Sequence, residues 1–238
     1  MPTPPVRTPK LVQVRKRRLP PEVLSDAEVR RLLAAIEGKT DRCHDLAGNV
    51  SLLATFATGS DTNGQNMPVN QILAARNRAL VALMYRGGLR ISEALQLRPK
   101  DINPEDGSVA VLFGKGGRSR IIGLDPGAMA MVVEWANVRR QLGVVAPSAP
   151  LLCTAKGGLI ATAYIRRLFK RLAAECGIAR RVHPHGLRHT HASQLRAEGV
   201  DIGVISKQLG HASIITTVRY LDHLNPRAVI EAMGGRKW

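Results

Sequence analysis

Apolar positions along the 238-residue chain recur mostly three and four residues apart, the spacing of helices packed on a core. In LSDAEVRRLLAAIEG, Val29, Leu32, Leu33 and Ile36 fall on one helical face, Ser25 and Glu28 form a capping box, and Gly38 supplies the stop. VNQILAARNRALVALMYRGG predicts a longer helix, with Ile72, Leu73, Leu80, Leu83 and Met84 as its stripe and Gly87 as terminator. A short helix, SEALQL, follows Leu89-Arg90-Ile91. The period then drops to two. SVAVLFGKGGRSRIIGL alternates on both sides of GKGG and predicts a β-hairpin with a glycine-rich turn. After Asp125 helical spacing returns, over residues 126–142, 163–176, 185–198, 202–209 and 213–223, with a last short amphipathic helix after Pro226. Gly210 closes one of these helices and Ser213 opens the next as N-cap. The expected fold class is mostly α with a small antiparallel β-sheet (α+β), as one domain without internal repeats.

Two stretches depart from this pattern. Residues 1–21 carry six prolines and many cations with no acid before Glu22, and read as a basic tail or linker. Residues 39–67 read as a local insertion, an apolar run flanked by turn formers, holding one short helix. The folded unit is therefore expected over 22–225, with 226–238 as a C-terminal helix and tail.

Charge narrows the class of partner. Thirty-five Lys and Arg against 18 Asp and Glu leave a formal net charge of +17 on a chain that is 45% hydrophobic, which points to nucleic acid. Cys43, Cys153 and Cys176 show no C-x-x-C spacing, so neither a disulfide framework nor a cysteine zinc site is suggested, and a reducing compartment is expected. Apolar runs stay well short of the ~20 residues of a membrane span, and no signal-peptide core opens the chain. The expected location is intracellular, in the cytoplasm with the nucleoid. Carboxylate clusters, H-E-x-x-H and a complete phosphate loop are all missing, so no metal and no cofactor are expected.

What remains is a dispersed cationic set. HPHGLRHTHASQL begins a helix with His183, His185, Arg188, His189 and His191, although helix openings favour anions. Cations gathered there are either badly sited or waiting for an anion from outside the protein. His185 and Arg188, three apart, share a face. His211 sits in a tight turn, Tyr220 lies about two turns further on, Arg90 stands between a glycine stop and a helix start, and Lys115 occupies the hairpin turn. Singly, each has an ordinary use: Arg90 can pair with Glu93, His211 can cap a helix, and Tyr220 can be a core residue with a wet hydroxyl. Jointly, these types perform phosphoryl transfer without a metal. Arginines grip non-bridging oxygens, histidine moves a proton, tyrosine attacks phosphorus, and lysine protonates the departing sugar oxygen.

On GGLRISEALQLRPKDI, GKGGRSRIIGL, HGLRHTHASQL and LGHASIITTVRYL, in that order over residues 81–223, the sequence resembles the tyrosine recombinase, or phage integrase, family. The likeness reaches back to VLSDAEVRRLLAAI. The resemblance implies a catalytic-domain fold and a site-specific recombinase that cleaves and rejoins duplex DNA through a 3′-phosphotyrosine. It assigns Arg90 and Arg188 to the scissile phosphate, Glu93 to bracing the site, and Lys115 to general acid. His185 becomes the proton-transfer residue, His211 a phosphate donor and Tyr220 the nucleophile. His183, His189 and His191 are left as supporting or surface residues. Arg15, Lys16, Arg17, Arg18, Arg118 and Arg120 are expected along the DNA backbone. A homotetramer on DNA is implied, with a monomer or weak oligomer without it, and a C-terminal helix exchanged between protomers or packed on its own domain. Type IB topoisomerase-like relaxation and a non-catalytic DNA-binding regulator are the alternatives. Family members usually carry a helical DNA-binding domain ahead of the catalytic one, and here only the basic tail precedes it.

Overall fold

The structure, a computed structural model, describes residues 23–37, 67–112, 119–224 and 234; the side chains of 219, 220 and 222–224 lie outside that description. The elements are α1 (Asp26–Glu37), α2 (Val69–Tyr85), α3 (Ile91–Gln96), a 3-10 turn (Pro99–Asp101), β1 (Ile102–Asn103), β2 (Ser108–Val111), β3 (Arg120–Gly123), α4 (Pro126–Gln141), α5 (Thr162–Glu175), α6 (Pro184–Ala197), α7 (Ile202–Leu209) and α8 (Ile214–Leu224). The strands form one antiparallel sheet in the order β1-β2-β3, with Val111 opposite Arg120 and Ser108 opposite Gly123. The fold class is thus mostly helical with a small antiparallel sheet. No helix among the described residues is long and apolar enough to cross a membrane.

Helix starts follow local chemistry. At α1, Glu28 N–H donates to Ser25 Oγ at 3.3 Å and Ser25 N–H to the Glu28 carboxylate at 2.7 Å, closing the capping box the sequence predicts. Asp125 caps α4 by accepting from Ala128 N–H at 3.0 Å, and its other oxygen takes Arg86 Nε at 2.7 Å. That carboxylate therefore ties the end of α2 to the start of α4.

Helix α2 is buried in an unbroken run from Ala79 to Tyr85, because α1, α4 and α6 pack around it. Its polar Arg76 is buried too. It donates to Tyr164 Oη at 2.7 Å, with the guanidinium 5.1 Å from the same ring's centroid. The main core gathers side chains from α1 through α6, including Leu83, Trp135 and Phe169. A smaller cluster of Ala192, Ile205, Leu209 and Leu221 holds α6, α7 and α8 together.

Sequence and structure differ in small ways. Gly87 was the expected stop of α2, yet the left-handed residue is Gly88, with φ of +62°. The helix closes through Gly87 N–H to Ala82 O and Leu89 N–H to Leu83 O, so two glycines share the turn. Strand β1 and the 3-10 turn are additions, too short to display a period. The tail over 1–21, the insertion over 39–67 apart from its last residue, the GKGG turn, and the C-terminal helix and tail over 226–238 apart from residue 234 lie outside the described residues.

Candidate active site

Four segments separated in sequence meet at one junction: the turn after α2, the start of β3, the opening of α6, and the turn from α7 to α8. Arg188, on the first full turn of α6, is 1% exposed and central to it. Its Nη1 donates to Gly88 O at 2.6 Å and its Nη2 to Leu209 O, so one guanidinium joins the turn after α2 to the end of α7. Gln208 adds a second tie. Its side chain accepts from Gly123 N–H at 3.1 Å and donates to Gly123 O at 2.9 Å and Gly87 O at 3.3 Å. Buried carbonyls that would otherwise lack donors are satisfied by side chains reaching across the chain.

Arg90 occupies the N-cap position of α3 and is partly exposed. Its amide donates to Glu93 Oε2 at 2.9 Å and its Nη1 to Glu93 Oε1 at 2.6 Å. The ordinary pairing open to Arg90 in the sequence is therefore realised, and it leaves the guanidinium beside the cluster. Glu93 is 3% exposed. Burial pushes its carboxyl up, but hydrogen bonds from Arg120 and the Arg90 amide, with both arginine charges, outweigh that and hold it at about 2.

His211 follows the left-handed Gly210, and its Nδ1 lies 2.8 Å from Oγ1 of the fully buried Thr217. Burial, then the charges of Arg188, Arg90 and Arg120 and the His185 ring, lower its pKa to about 4. Arg188 on Leu209 O, and Arg120 on both Gln208 O and the Glu93 that holds Arg90, place these groups in a common neighbourhood. His185 is exposed at the second position of α6, edge-on to His189 with ring centroids 4.2 Å apart. Desolvation lowers its pKa, helped by Arg188, His183 and Arg90.

The histidine-rich opening of α6 is less cationic than its composition suggests. His183 is the N-cap: its Nδ1 accepts from Gly186 N–H at 3.1 Å, which requires an unprotonated nitrogen and uses an amide otherwise open to an anion. His189 and His191 are buried, with burial first and neighbouring cations second lowering them to about 3 and about 4. They are not surface residues. The sequence misleads because Gly186–Ala192 is buried without a break, polar side chains included.

Of the remaining expected residues, Lys115 and Arg118 lie outside the described residues, as do Arg15, Lys16, Arg17 and Arg18. Tyr220 belongs to α8, three residues and so about one turn beyond Thr217; its side chain is outside the description. Arg120, expected along DNA, is 12% exposed at its side chain and engaged within the protein by Glu93 and Gln208 O. Thr217 and Gln208 are additions to the predicted set. Thr217 had one signal, its place a helical turn before Tyr220. Gln208 had none, because its partners are 85 and 121 residues away.

This arrangement gathers guanidinium and imidazole groups on a helical scaffold with a small antiparallel sheet. The chain belongs to the Phage integrase family, which matches residues 63–227 and so contains all four recognised stretches. Tyrosine recombinase XerC of Agrobacterium fabrum (strain C58) is 41% identical over 169 residues, covering 66% of this chain and 52% of that one. The crystal structure of XerA recombinase superposes with a TM-score of 0.69 at 24% identity, over 93% of this chain and 67% of that one. XerH site-specific recombinase bound to palindromic difH substrate in a post-cleavage complex gives 0.64 at 26% identity, over 91% and 53%. The chain spans about half the length of the curated relatives it matches.

Proposed function

We propose that this chain is the catalytic part of a site-specific DNA recombinase, cleaving and rejoining duplex DNA through a phosphotyrosine at Tyr220. The observation that carries the reading is a hydrogen-bonded junction, together with 41% identity to a tyrosine recombinase. There Arg188 of α6 joins the turn after α2 to Leu209, two residues before His211, and Arg120 joins the Glu93 that holds Arg90 to the adjacent Gln208. Tyr220 Oη attacks the scissile phosphorus and forms an O–P bond, while the bond to the 5′-oxygen breaks and leaves the 3′-phosphate on the enzyme. His185, its pKa lowered by partial desolvation and neighbouring cations, takes the phenolic proton, and Lys115 delivers one to the departing 5′-oxygen. Arg90 and Arg188 stabilise charge growing on the non-bridging oxygens. With Thr217 donating to its Nδ1, His211 offers Nε2–H to the same oxygens. Attack by a 5′-hydroxyl of a second strand reverses each step.

Duplex DNA is the substrate, bound in a homotetramer, with residues 226–238 exchanged between protomers and the protein intracellular among the nucleoid DNA. The basic tail and Arg118 contact phosphates outside the cleavage site.

The test is covalent trapping. Incubated with a pool of nicked duplexes of randomised sequence, the protein forms an SDS-stable adduct on the 3′-phosphate side of the nick, and Tyr220→Phe abolishes it. Binding without any wild-type adduct would make the protein a non-catalytic regulator instead. Sequence-independent relaxation of supercoiled plasmid would make it a topoisomerase.

A further inference from the structure

We infer that Arg120 is a positioning residue for cleavage: it locks Glu93, and through Glu93 the Arg90 guanidinium, onto strand β3, and does not itself hold a DNA phosphate. This rests on the recombinase reading and concerns the same site.

The observation is a carboxylate with every acceptor position used. Glu93 Oε1 accepts from Arg90 Nη1 at 2.6 Å and from Arg120 Nη1 at 3.1 Å. Its Oε2 accepts from the Arg90 amide at 2.9 Å and from Arg120 Nη2 at 2.9 Å. Each arginine thus supplies one donor to each oxygen, which exhausts the roughly four lone-pair sites of a carboxylate. Arg120 makes the two-pronged contact for which a guanidinium is shaped. Its third nitrogen, Nε, donates to Gln208 O at 3.2 Å. All three nitrogens are thereby directed into the protein. The side chain also lies against Gly210, where a Cβ would come within 2.8 Å of its Cδ, Nε and Cζ.

The consequence is geometric. Arg90 holds both Glu93 oxygens through its own amide and Nη1, a contact confined to the start of α3. Arg120 grips the same two oxygens from β3, which ties that local pair to a second element and sets the direction from which Arg90 is gripped. The same contact fixes the first residue of β3 to α3 and to the end of α7. Lys115 stands five residues earlier in the same hairpin sequence, so the clamp anchors one end of the segment that carries the proposed general acid. Charge supports this division of labour. Two guanidiniums against one carboxylate leave a single positive charge, the sign a phosphate needs, with Arg90 the more exposed cation, 26% against 12% at the side chain.

The charged groups around Glu93 are Arg90 at its own helix start, Arg120 on β3, and Asp101 of the 3-10 turn, which lines the same small recess and accepts from Arg98 N–H at 2.8 Å. Without Arg120, the carboxylate loses the strongest influence holding it ionised while its burial persists. Protonation on the acid side of neutrality then follows, and Arg90 is released.

The experiment compares the full chain with Arg120→Gln and Arg120→Lys on a nicked duplex recovered from the trapping pool. DNA affinity is measured against salt, and single-turnover adduct formation at saturating DNA against pH. For Arg120→Gln the inference expects affinity and its salt slope to be unchanged, with adduct formation about 10- to 100-fold slower, the scale of losing an outer partner that orients a functional group. Its rate also begins to decline at a higher pH than that of the wild type, whose own decline follows protonation of His185. Arg120→Lys, which keeps the charge, recovers part of the rate and moves the profile back toward the wild type. A salt slope reduced by about one with an unchanged rate at saturation would make Arg120 a phosphate contact and overturn the inference. So would equal losses in both variants with no change in pH profile, the mark of a merely structural arginine. A wild-type protein without adduct would sink the recombinase reading and this inference together, whereas a wild-type adduct matched by Arg120→Gln would sink the inference alone.

Discussion

Desolvation beside arginines disfavours a charged imidazole, and it lowers His189, His191 and His211 around Arg188, with the more exposed His185 lowered in the same direction. The consequence for stability has a definite sign. These groups bind protons in the unfolded chain near pH 6.5 but in the folded one only near 3 to 4 for His189, His191 and His211. Between those limits the unfolded state carries more protons, so stability is full above about pH 6.5 and declines as the pH falls toward 4. Calorimetric unfolding near pH 5 in buffers of different ionisation enthalpy should show uptake of about three protons from these residues, with His185 adding to it. His191→Asn should remove about one. A urea midpoint that does not move between pH 7 and 5 would contradict the buried, neutral state of these rings. The sequence showed four histidines at one helix opening, but their charge depends on which helix face is covered. Periodicity could not reveal that, since the helix is covered on faces that carry polar residues.

At the scale of elements, much of the architecture was legible because local chemistry decided it. The Ser25–Glu28 box, the Gly210 C-cap and the Ser213 N-cap all form as expected, the last with Ser213 Oγ accepting from Ile215 N–H at 3.3 Å. What escaped was whatever required a partner far along the chain, such as Gln208 on Gly87 or Arg120 on Glu93. A pair of glycines separates the local part from the distant part. Gly199 and Gly210 both follow helices in the left-handed region, with φ of +79° and +64°. A Cβ at Gly199 meets nothing within 4 Å, whereas at Gly210 it strikes Arg120 at 2.8 Å. Gly199→Ala should therefore cost only the left-handed strain, about 1–2 kcal/mol. Gly210→Ala should lose the same plus about 1 kcal/mol or more for displacing a pinned guanidinium, and should also slow adduct formation. Denaturant melts of the two variants check the difference. Equal costs would mean that Arg120 yields freely.

Across the whole molecule, the meeting of four segments at Arg188 was visible in the sequence only through family resemblance, because spacing within a box says nothing about distance between boxes. Net charge, by contrast, was readable at once, and the neutral histidines leave the formal +17 intact at pH 7. The structure adds where some of that charge stands. Helix α5 buries Ile165, Leu168, Phe169 and Leu172 and leaves Arg166, Arg167 and Lys170 exposed on its other side. Buried arginines such as Arg76 and Arg139 are committed to protein acceptors, so long-range attraction for the proposed DNA substrate is expected from exposed sets like this one. If Arg166, Arg167 and Lys170 each displace a counterion from a phosphate, the logarithm of affinity should fall with the logarithm of salt less steeply by about 0.9 for each one removed. The triple change to Gln, measured on a random-sequence duplex from low to high salt, should flatten the slope by about 3 and converge with the wild type at high salt. Parallel lines, or a loss that persists at high salt, would instead make that face of α5 a solvated surface or a packing element. The electrostatic footprint would then have to lie on other cations of the chain.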